Sequence, residues 1–346
     1  MRATADTVEN LVSIVMPTLN AQAWVLDTID NILAQTYPHI ELIVVDDGST
    51  DDTVNVVRCK LTADFSGDWQ VIALGENRGP SVARNVGLAA ARGAWIQYLD
   101  SDDFLATDKF ARQMAVCASA PDDVVAVYSP WRRCYYDDGQ VTWTTPLVQP
   151  DMAGRHPIMC LVSNERPLHG AGLARRATLS AIGGFDEGLR FWECEEVMVR
   201  LAKAGRMLNV PSEEAFYLWR EHRDRDYIGG PNARYDITNV ALGWIEQMVR
   251  AAEGRSFDEL GLSFQDRRDI LLQCTEYGRW LYSKNRPAFR RYVQMARTFD
   301  PKLAPAHPKF AATLSRWLGY EAAEGVARLS RAPTAIMKRL ATPAFS

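Results

Sequence analysis

The first hundred positions alternate short apolar runs with amphipathic stretches of helical period. "VSIVMP" (12–17), "ELIVVDD" (41–47), "WQVIAL" (69–74) and "AWIQYLD" (94–100) are brief, rich in β-branched or aromatic residues, and end in polar or turn-forming residues. That is the pattern of strands buried on both faces of a parallel sheet. Between them, "AWVLDTIDNILAQT" (23–36) sets Val25, Leu26, Ile29, Ile32 and Leu33 on one helical face. "DDTVNVVRCKL" (51–61) and "PSVARNVGLAAARG" (80–93) behave likewise, the latter closing at Gly93 where a left-handed cap is expected. This βαβαβαβ rhythm predicts an α/β domain with a mainly parallel sheet flanked by helices. Further on, 109–120 reads as a helix and 123–145 as a strand followed by a hairpin turning at Asp138-Gly139. The stretch 169–205 reads as a helix from about 175, a Gly-Gly turn and a second helix from about 193. From about 232 the pattern changes to long helices (233–254, 263–285, 287–301) punctuated by proline and glycine, which predicts a packed helical appendage. The expected division is 1–230 as one domain, with halves 11–105 and 106–230, and 231–346 as a C-terminal helical region.

The polar residues at the strand ends change the picture from fold to chemistry. Asp46 and Asp47 end the second run, "ENRGP" (76–80) follows the third, and Asp100, Ser101, Asp102 and Asp103 follow the fourth. In open parallel sheets ligands gather at the carboxyl ends of the strands, so the three clusters should face one crevice. Crowding three aspartates into four positions has two readings. Asp102 or Asp103 could cap the next helix and complement its dipole. Alternatively the carboxylates hold a hard cation such as Mg²⁺ or Mn²⁺, which keeps open positions for substrate phosphates. Arg84 near the same crevice favours the cation and a phosphorylated ligand, although Arg84 by itself also reads as a solvated helix residue.

Composition narrows the partners. The chain has 346 residues, 47% hydrophobic and 24% charged, and a formal net charge of -4. Ordinary globular values predict a well-filled core, and the acidic balance argues against a general nucleic-acid binder. Six cysteines, at 59, 117, 134, 160, 194 and 274, form no CxxC pair, and the chain opens with the polar "MRATADTVEN". A disulfide scaffold, a zinc module and a secretory signal are not expected, and a reducing cytoplasmic setting is. No apolar segment approaches the roughly 18–20 residues that span a bilayer. The terminal "ARLSRAPTAIMKRLATPAFS" is basic and moderately apolar. It reads either as a solvated final helix or as a peripheral contact with anionic lipid at the inner face of a membrane. A nicotinamide-dependent oxidoreductase is disfavoured because "MPTLNAQA", not GxGxxG, follows the first strand.

Taken in order, "SIVMPTLNAQAWVLDTIDNILAQTYPHIELIVVDDGSTDDT", "NRGPSVARNVGLAAARGAWIQYLDSDD" and "IGGFDE" resemble the GT-A fold (Rossmann-like) glycosyltransferases of family 2, over roughly residues 11 to 222. The resemblance implies an enzyme that takes a nucleotide-sugar and transfers its sugar with inversion, using Mn²⁺ or Mg²⁺ to hold the diphosphate. It further implies a donor half (11–105), an acceptor half (106–230) and a glycan or lipid-linked acceptor in surface polysaccharide biosynthesis. Pro17 and Leu19 would lie against the base and Asp47 would hydrogen-bond it, favouring uracil or thymine and hence a UDP-sugar. Asp46 would anchor the loop, Gly79 would let backbone approach the ligand, and Arg84 with Asn85 would sit under the donor. Asp100, with Ser101 beside it, would contact the ribose or the metal shell, Asp102 the metal, and Asp103 would support the loop as a cap. His222, in "FYLWREHRDRD" (216–226), would complete the metal or diphosphate environment, with Arg220 nearby.

Inverting transfer needs a general base for the acceptor hydroxyl. In the resembled family this is commonly the aspartate of a Glu-Asp pair, and "ECEEVMVRLAKAG" puts Glu193 on the glutamate and Cys194 on the aspartate. A thiol among carboxylates is a poor base, because they raise its pKa. Three readings stay open: Glu193 or Glu195 serves as base, with Glu193 the stated hypothesis; the acceptor is a more acidic group; or the protein binds carbohydrate or nucleotide without efficient turnover. Glu196 fits simple compensation of a helix dipole. His156 and His169 are unassigned.

Overall fold

The computed structural model describes residues 7–137, 140–162, 166–189, 191–214, 216–221, 237–256 and 258–299. Four strands, β1 (Val8–Thr18), β2 (Ile40–Asp46), β3 (Asp68–Ala73) and β4 (Gly93–Tyr98), alternate with α1 (Val25–Leu33), α2 (Thr53–Asp64) and α3 (Pro80–Ala90). β1 pairs in parallel with β2 on one side and β4 on the other, and β2 with β3. Val12, Ile14, Val15 and Met16 of β1 and Leu42 to Val45 of β2 are buried on both faces of the sheet. Val25, Ile29 and Ile32, one helical stripe of α1, join the same core. Each such side chain contributes about 1.5–3 kcal/mol when fully buried, so the strand blocks and helix stripes drive this half together. Gly93 opens β4 instead of capping α3. A Cβ there would lie 2.4 Å from the Leu11 carbonyl oxygen, so glycine is needed for the close passage of β1.

The chain continues through β5 (Phe104–Leu105), α4 (Lys109–Cys117), β6 (Val124–Tyr128), β7 (Trp131–Asp137), β8 (Gln140–Thr144), β9 (Gly172–Arg175), α5 (Arg176–Ala181), α6 (Glu193–Ala204), β10 (Arg206–Asn209) and β11 (Tyr217–Glu221). Short 3₁₀ turns lie at Pro157–Leu161 and His169–Ala171. The main sheet has seven strands in the order β10-β6-β9-β4-β1-β2-β3, with β9 antiparallel between β6 and β4. The mainly parallel α/β layering is as the sequence predicts. A second sheet, β5-β11-β7-β8, lies beyond the acidic loop, and β7 and β8 form the expected hairpin, whose turn residues Asp138 and Gly139 fall outside the described residues.

Among the described residues three helices follow: α7 (Ile237–Ala252), α8 (Phe264–Lys284) and α9 (Arg286–Phe299). The chain divides into compact units at 1–243 and 244–346. Within the second, Trp244 packs on Tyr277 with ring centroids 5.4 Å apart, and the Tyr292 hydroxyl donates to the Cys274 carbonyl at 3.0 Å. Ser263 caps α8, its hydroxyl accepting the Asp266 N–H at 3.1 Å. Among the described residues no helix is long and apolar enough to cross a membrane. His222 and the basic terminal segment lie outside the described residues.

Candidate active site

The carboxyl ends of β1, β2 and β4 share one edge: Thr18 is in register with Asp46, and Leu99, just after β4, donates its N–H to Val15. At this edge Asp46, 3% exposed, accepts the Ser49 N–H at 3.1 Å and the Thr18 hydroxyl at 3.4 Å, and so anchors the turn after β2. Asp47 accepts the N–H groups of Arg78 and Gly79 at 2.7 and 2.9 Å, one on each carboxylate oxygen. It therefore fixes the loop that enters α3. Gly79 has φ +93°, a conformation glycine adopts without strain, and a Cβ there would meet open space. Pro17 is half-buried, and Leu19 is 40% exposed.

Within the loop at 100–103, Asp100 and Asp103 have different partners. Asp100 accepts from Arg84 Nη2 at 2.9 Å and lies 3.8 Å from His169 Nε2. Burial works against its ionisation, but the Arg84 guanidinium and then His169 outweigh it and hold the carboxyl well below the usual range. The Ser101 and Asp103 carbonyls both accept the Thr28 hydroxyl, at 3.0 and 3.1 Å, which clamps the loop onto α1. Asp102 is buried, at 4% exposure. Asp103 accepts the Tyr217 hydroxyl and, at 2.8 Å, the Arg220 N–H. Burial, then the charges of Asp102 and Asp100, push its carboxyl well above the usual range. The helix-cap reading fails, because the next helix starts only at Lys109, after Asp108. Asp103 supports the loop by tying it to β11.

Opposite this loop stands the N-terminus of α6, preceded by Trp192 at φ +67°. A bulky residue in the left-handed region is a genuine outlier, and Trp192 is held there by its indole N–H, which donates to the Val240 carbonyl at 2.9 Å. Each of the three glutamates in the first turn has its own arginine. Glu195 pairs with Arg166 at 2.9 Å, and Glu196 pairs with Arg200 at 2.6 Å. Arg200 also donates to the Ile182 and Gly184 carbonyls at 2.6 and 2.7 Å, so Glu196 braces the Gly-Gly turn and does more than offset the helix dipole. Glu193 has the loosest of the three pairs, 3.5 Å to Arg84 Nη1. Burial pushes the Cys194 thiol well up; Arg84 opposes this, and Glu193, Glu195 and Asp100 add to it. Its Sγ lies 3.7 Å from Glu193 Oε1 and 3.9 Å from His169 Nε2.

Arg84 joins the two sides. It is 4% exposed, which overturns the solvated reading, and its guanidinium reaches Asp100, Glu193 and the face of Phe185 at 5.1 Å. Asn85 lies beside it with a different task. Its side-chain amide donates to the Phe185 carbonyl and to Glu187, and accepts the Phe185 N–H at 2.8 Å, latching the "GGFDE" turn onto α3. His169, which carries no distinguishing sequence offset, is the residue that sequence reasoning missed. Arg84 Nε, His169 Nδ1 and Tyr98 Oη are buried polar atoms with no hydrogen-bond partner among the described residues.

Among the described residues no group of three or more His, Cys, Asp or Glu side chains is placed to enclose a metal ion. Mg²⁺ and its relatives are ordinarily held by one or two carboxylates together with substrate phosphates and water, not by an all-protein cage. Asp100 and Asp102 carry the hard carboxylate oxygens that such a site uses.

A seven-stranded, mainly parallel sheet with its acidic loop at the carboxyl edge defines a GT-A fold. A structure of S. aureus TarS 1-349 in complex with UDP-GlcNAc superposes with a TM-score of 0.66 at 17% identity, covering 93% of this chain and 92% of that one. The mannosyltransferase PcManGT from Pyrobaculum calidifontis in complex with GDP-Man and Mn²⁺ superposes with a TM-score of 0.52 at 20% identity, covering 95% and 88%. Residues 13–180 match the model of Glycosyl transferase family 2. A UDP-Glc:alpha-D-GlcNAc-diphosphoundecaprenol beta-1,3-glucosyltransferase, WfaP of Escherichia coli, is 38% identical over 106 residues, 30% of this chain and 40% of that protein. The chain matches about two-fifths of the length of such curated relatives.

Proposed function

We propose that the chain is a metal-dependent, inverting glycosyltransferase that moves a sugar from a nucleoside diphosphate to a hydroxyl of a glycan or lipid-linked acceptor in surface polysaccharide synthesis. The observation that carries the reading is Arg84, one buried cation touching both Asp100 of the acidic loop and Glu193 at the start of α6. That shared contact supports the reading: the loop that would carry a metal diphosphate and the carboxylate that would abstract the proton lie within one side chain's reach. The nucleotide base would rest on Pro17 and Leu19 beside Asp47. The diphosphate would lie over the α3 entrance and the loop of Asp100, Ser101 and Asp102. His222 stays a proposed further ligand.

In the transfer step Glu193 takes the acceptor's hydroxyl proton, the acceptor oxygen bonds to the anomeric carbon from the face opposite the diphosphate, and the carbon–oxygen bond to the diphosphate breaks. A bound divalent cation supplies neutralisation of the charge that develops on the leaving group. Glu193 is preferred to Glu195 because Glu195 is committed to Arg166 by two bonds, at 2.9 and 3.1 Å. Cys194 is too far from an ionised state to serve. UDP-sugar is the preferred donor; the solved relatives above hold UDP-GlcNAc and GDP-Man, so both bases belong in the test. The reading is tested by nucleoside diphosphate release from UDP- and GDP-sugars with Mn²⁺ and with EDTA. Release only with the metal supports it. Tight donor binding with no release under any condition would make the chain a binding protein that kept the fold.

A further inference from the structure

A polar network is centred on Lys109, which is wholly buried. Its amine donates to the side-chain oxygens of Gln97 on β4 and, at 2.7 Å, Gln113 one turn along α4. Among the described residues this amine donates to no carboxylate, and the Phe110 ring lies 5.0 Å away. A neutral amine has two N–H donors and here meets two amide oxygens. Burial pushes Lys109 well below the usual lysine range, which agrees with that pairing.

The two glutamines pass the constraint on. Gln97 Nε2 donates to the Gly170 carbonyl at 2.8 Å, and Gln113 Nε2 donates to the Ala171 carbonyl at 3.0 Å and to Ser129 at 2.7 Å. Both carbonyls belong to the His169–Ala171 turn. On its other side that turn presses on β11: a Cβ on Gly170 would lie 2.4 Å from the Tyr217 ring, whose hydroxyl holds Asp103. At its start stands His169, 3.8 Å from Asp100 and 3.9 Å from Cys194.

We propose that Lys109 is a positioning residue for the transfer reaction. Through Gln97 and Gln113 its amine fixes the His169–Ala171 turn, and the turn sets His169 against Asp100 and Cys194 while backing the tyrosine that holds Asp103. A buried lysine serves here where an apolar residue would pack as well, because only a donor can hold two amide oxygens and so orient both amide N–H groups toward the turn. The catalytic consequence rests on the proposed transferase activity; the anchoring of the turn does not.

Gln97→Glu and Gln113→Glu separate anchoring from folding. Each leaves a carboxylate oxygen to accept from Lys109 but removes the donor that held the turn. Expected for Gln97→Glu is kcat lower by about 10-fold or more with donor Kd within about 2-fold, since small misplacements cost rate more than ground-state binding. Hydrogen–deuterium exchange of the 168–173 segment should rise by at least about 10-fold while β4 and β6 stay protected, as for local opening. Lys109→Met should move the same readouts further and also lower the melting temperature, because two buried amide oxygens lose their donor. Unchanged exchange at 168–173 in Gln97→Glu overturns the proposal, as does faster exchange with a wild-type kcat. If the wild-type chain transfers no sugar, the functional reading fails by itself, and the exchange measurement still decides whether the network holds the turn.

Discussion

The two walls of the crevice are built by different means. The donor wall, from Asp46 to Asp103, is held by backbone: the Asp46, Asp47 and Asp103 carboxylates accept main-chain N–H groups, and Thr28 bonds two main-chain carbonyls. The facing wall, the first turn of α6, is held by charge pairs to Arg84, Arg166 and Arg200. Backbone anchoring at strand ends fixes ligand geometry within a rigid sheet. Side-chain ion pairs hold Glu193, Glu195 and Glu196 on either side of Cys194. Under the proposed function the donor wall sets what binds, and the α6 wall sets whether it reacts.

The sharpest way to break this division is Glu193→Gln. Loss of a general base costs about 10²- to 10⁴-fold in rate, so steady-state transfer should fall by that much while donor Kd stays within about 2-fold. A matching loss in Glu195→Gln would move the base one turn position along. Asp102→Asn should do the converse, abolishing the Mn²⁺-dependent rise in melting temperature with nucleoside diphosphate and, with it, transfer. Arg84→Met tests the link between the walls. It leaves Asp100 and Glu193 facing each other without their shared cation, and removing one partner of a buried pair costs about 3–5 kcal/mol, measurable as a lower urea midpoint with unchanged m-value. Cys194→Ser should change kcat by less than about 3-fold, because a thiol held protonated by burial performs no proton transfer; a large loss would return the thiol to the mechanism.

A smaller effect follows from Lys109. Its folded pKa lies well below the ordinary lysine value, so across the interval up to about 10.4 the unfolded chain binds more protons than the folded one. Stability from this group consequently rises with pH through that interval and is lost as pH falls through the folded value. Lys109→Met should flatten the slope of unfolding free energy against pH, read by urea titrations between pH 6 and pH 9.

The donor wall was legible in sequence because strand-end chemistry is local. "ELIVVDD" and "AWIQYLDSDD" show an apolar block and its terminal carboxylates side by side. The same rule placed Asp46, Asp47 and Asp100 on one edge, which the parallel register of β1, β2 and β4 provides. The α6 wall was only half legible: its glutamates could be read, but Arg84 meets Glu193 across 109 positions and nothing near either residue marks the pairing. His169 and Lys109 were not legible at all. His169 stands alone in a glycine-rich turn and Lys109 at the start of an amphipathic helix, and no neighbouring residue in the sequence marks either. Gly93 misled for a related reason, since a glycine needed for close strand approach resembles a helix-ending one until the neighbouring strand is known.

The donor wall's task is tested most directly by isothermal titration of the full chain with UDP-sugar and GDP-sugar, in Mn²⁺ and in EDTA, for the wild type and Asp102→Asn. The account predicts binding of at least one donor in Mn²⁺, weakened at least about 10-fold (about 1.4 kcal/mol) both by EDTA and by the substitution. Equal affinity in all four conditions, or no binding of either donor in any of them, would contradict it.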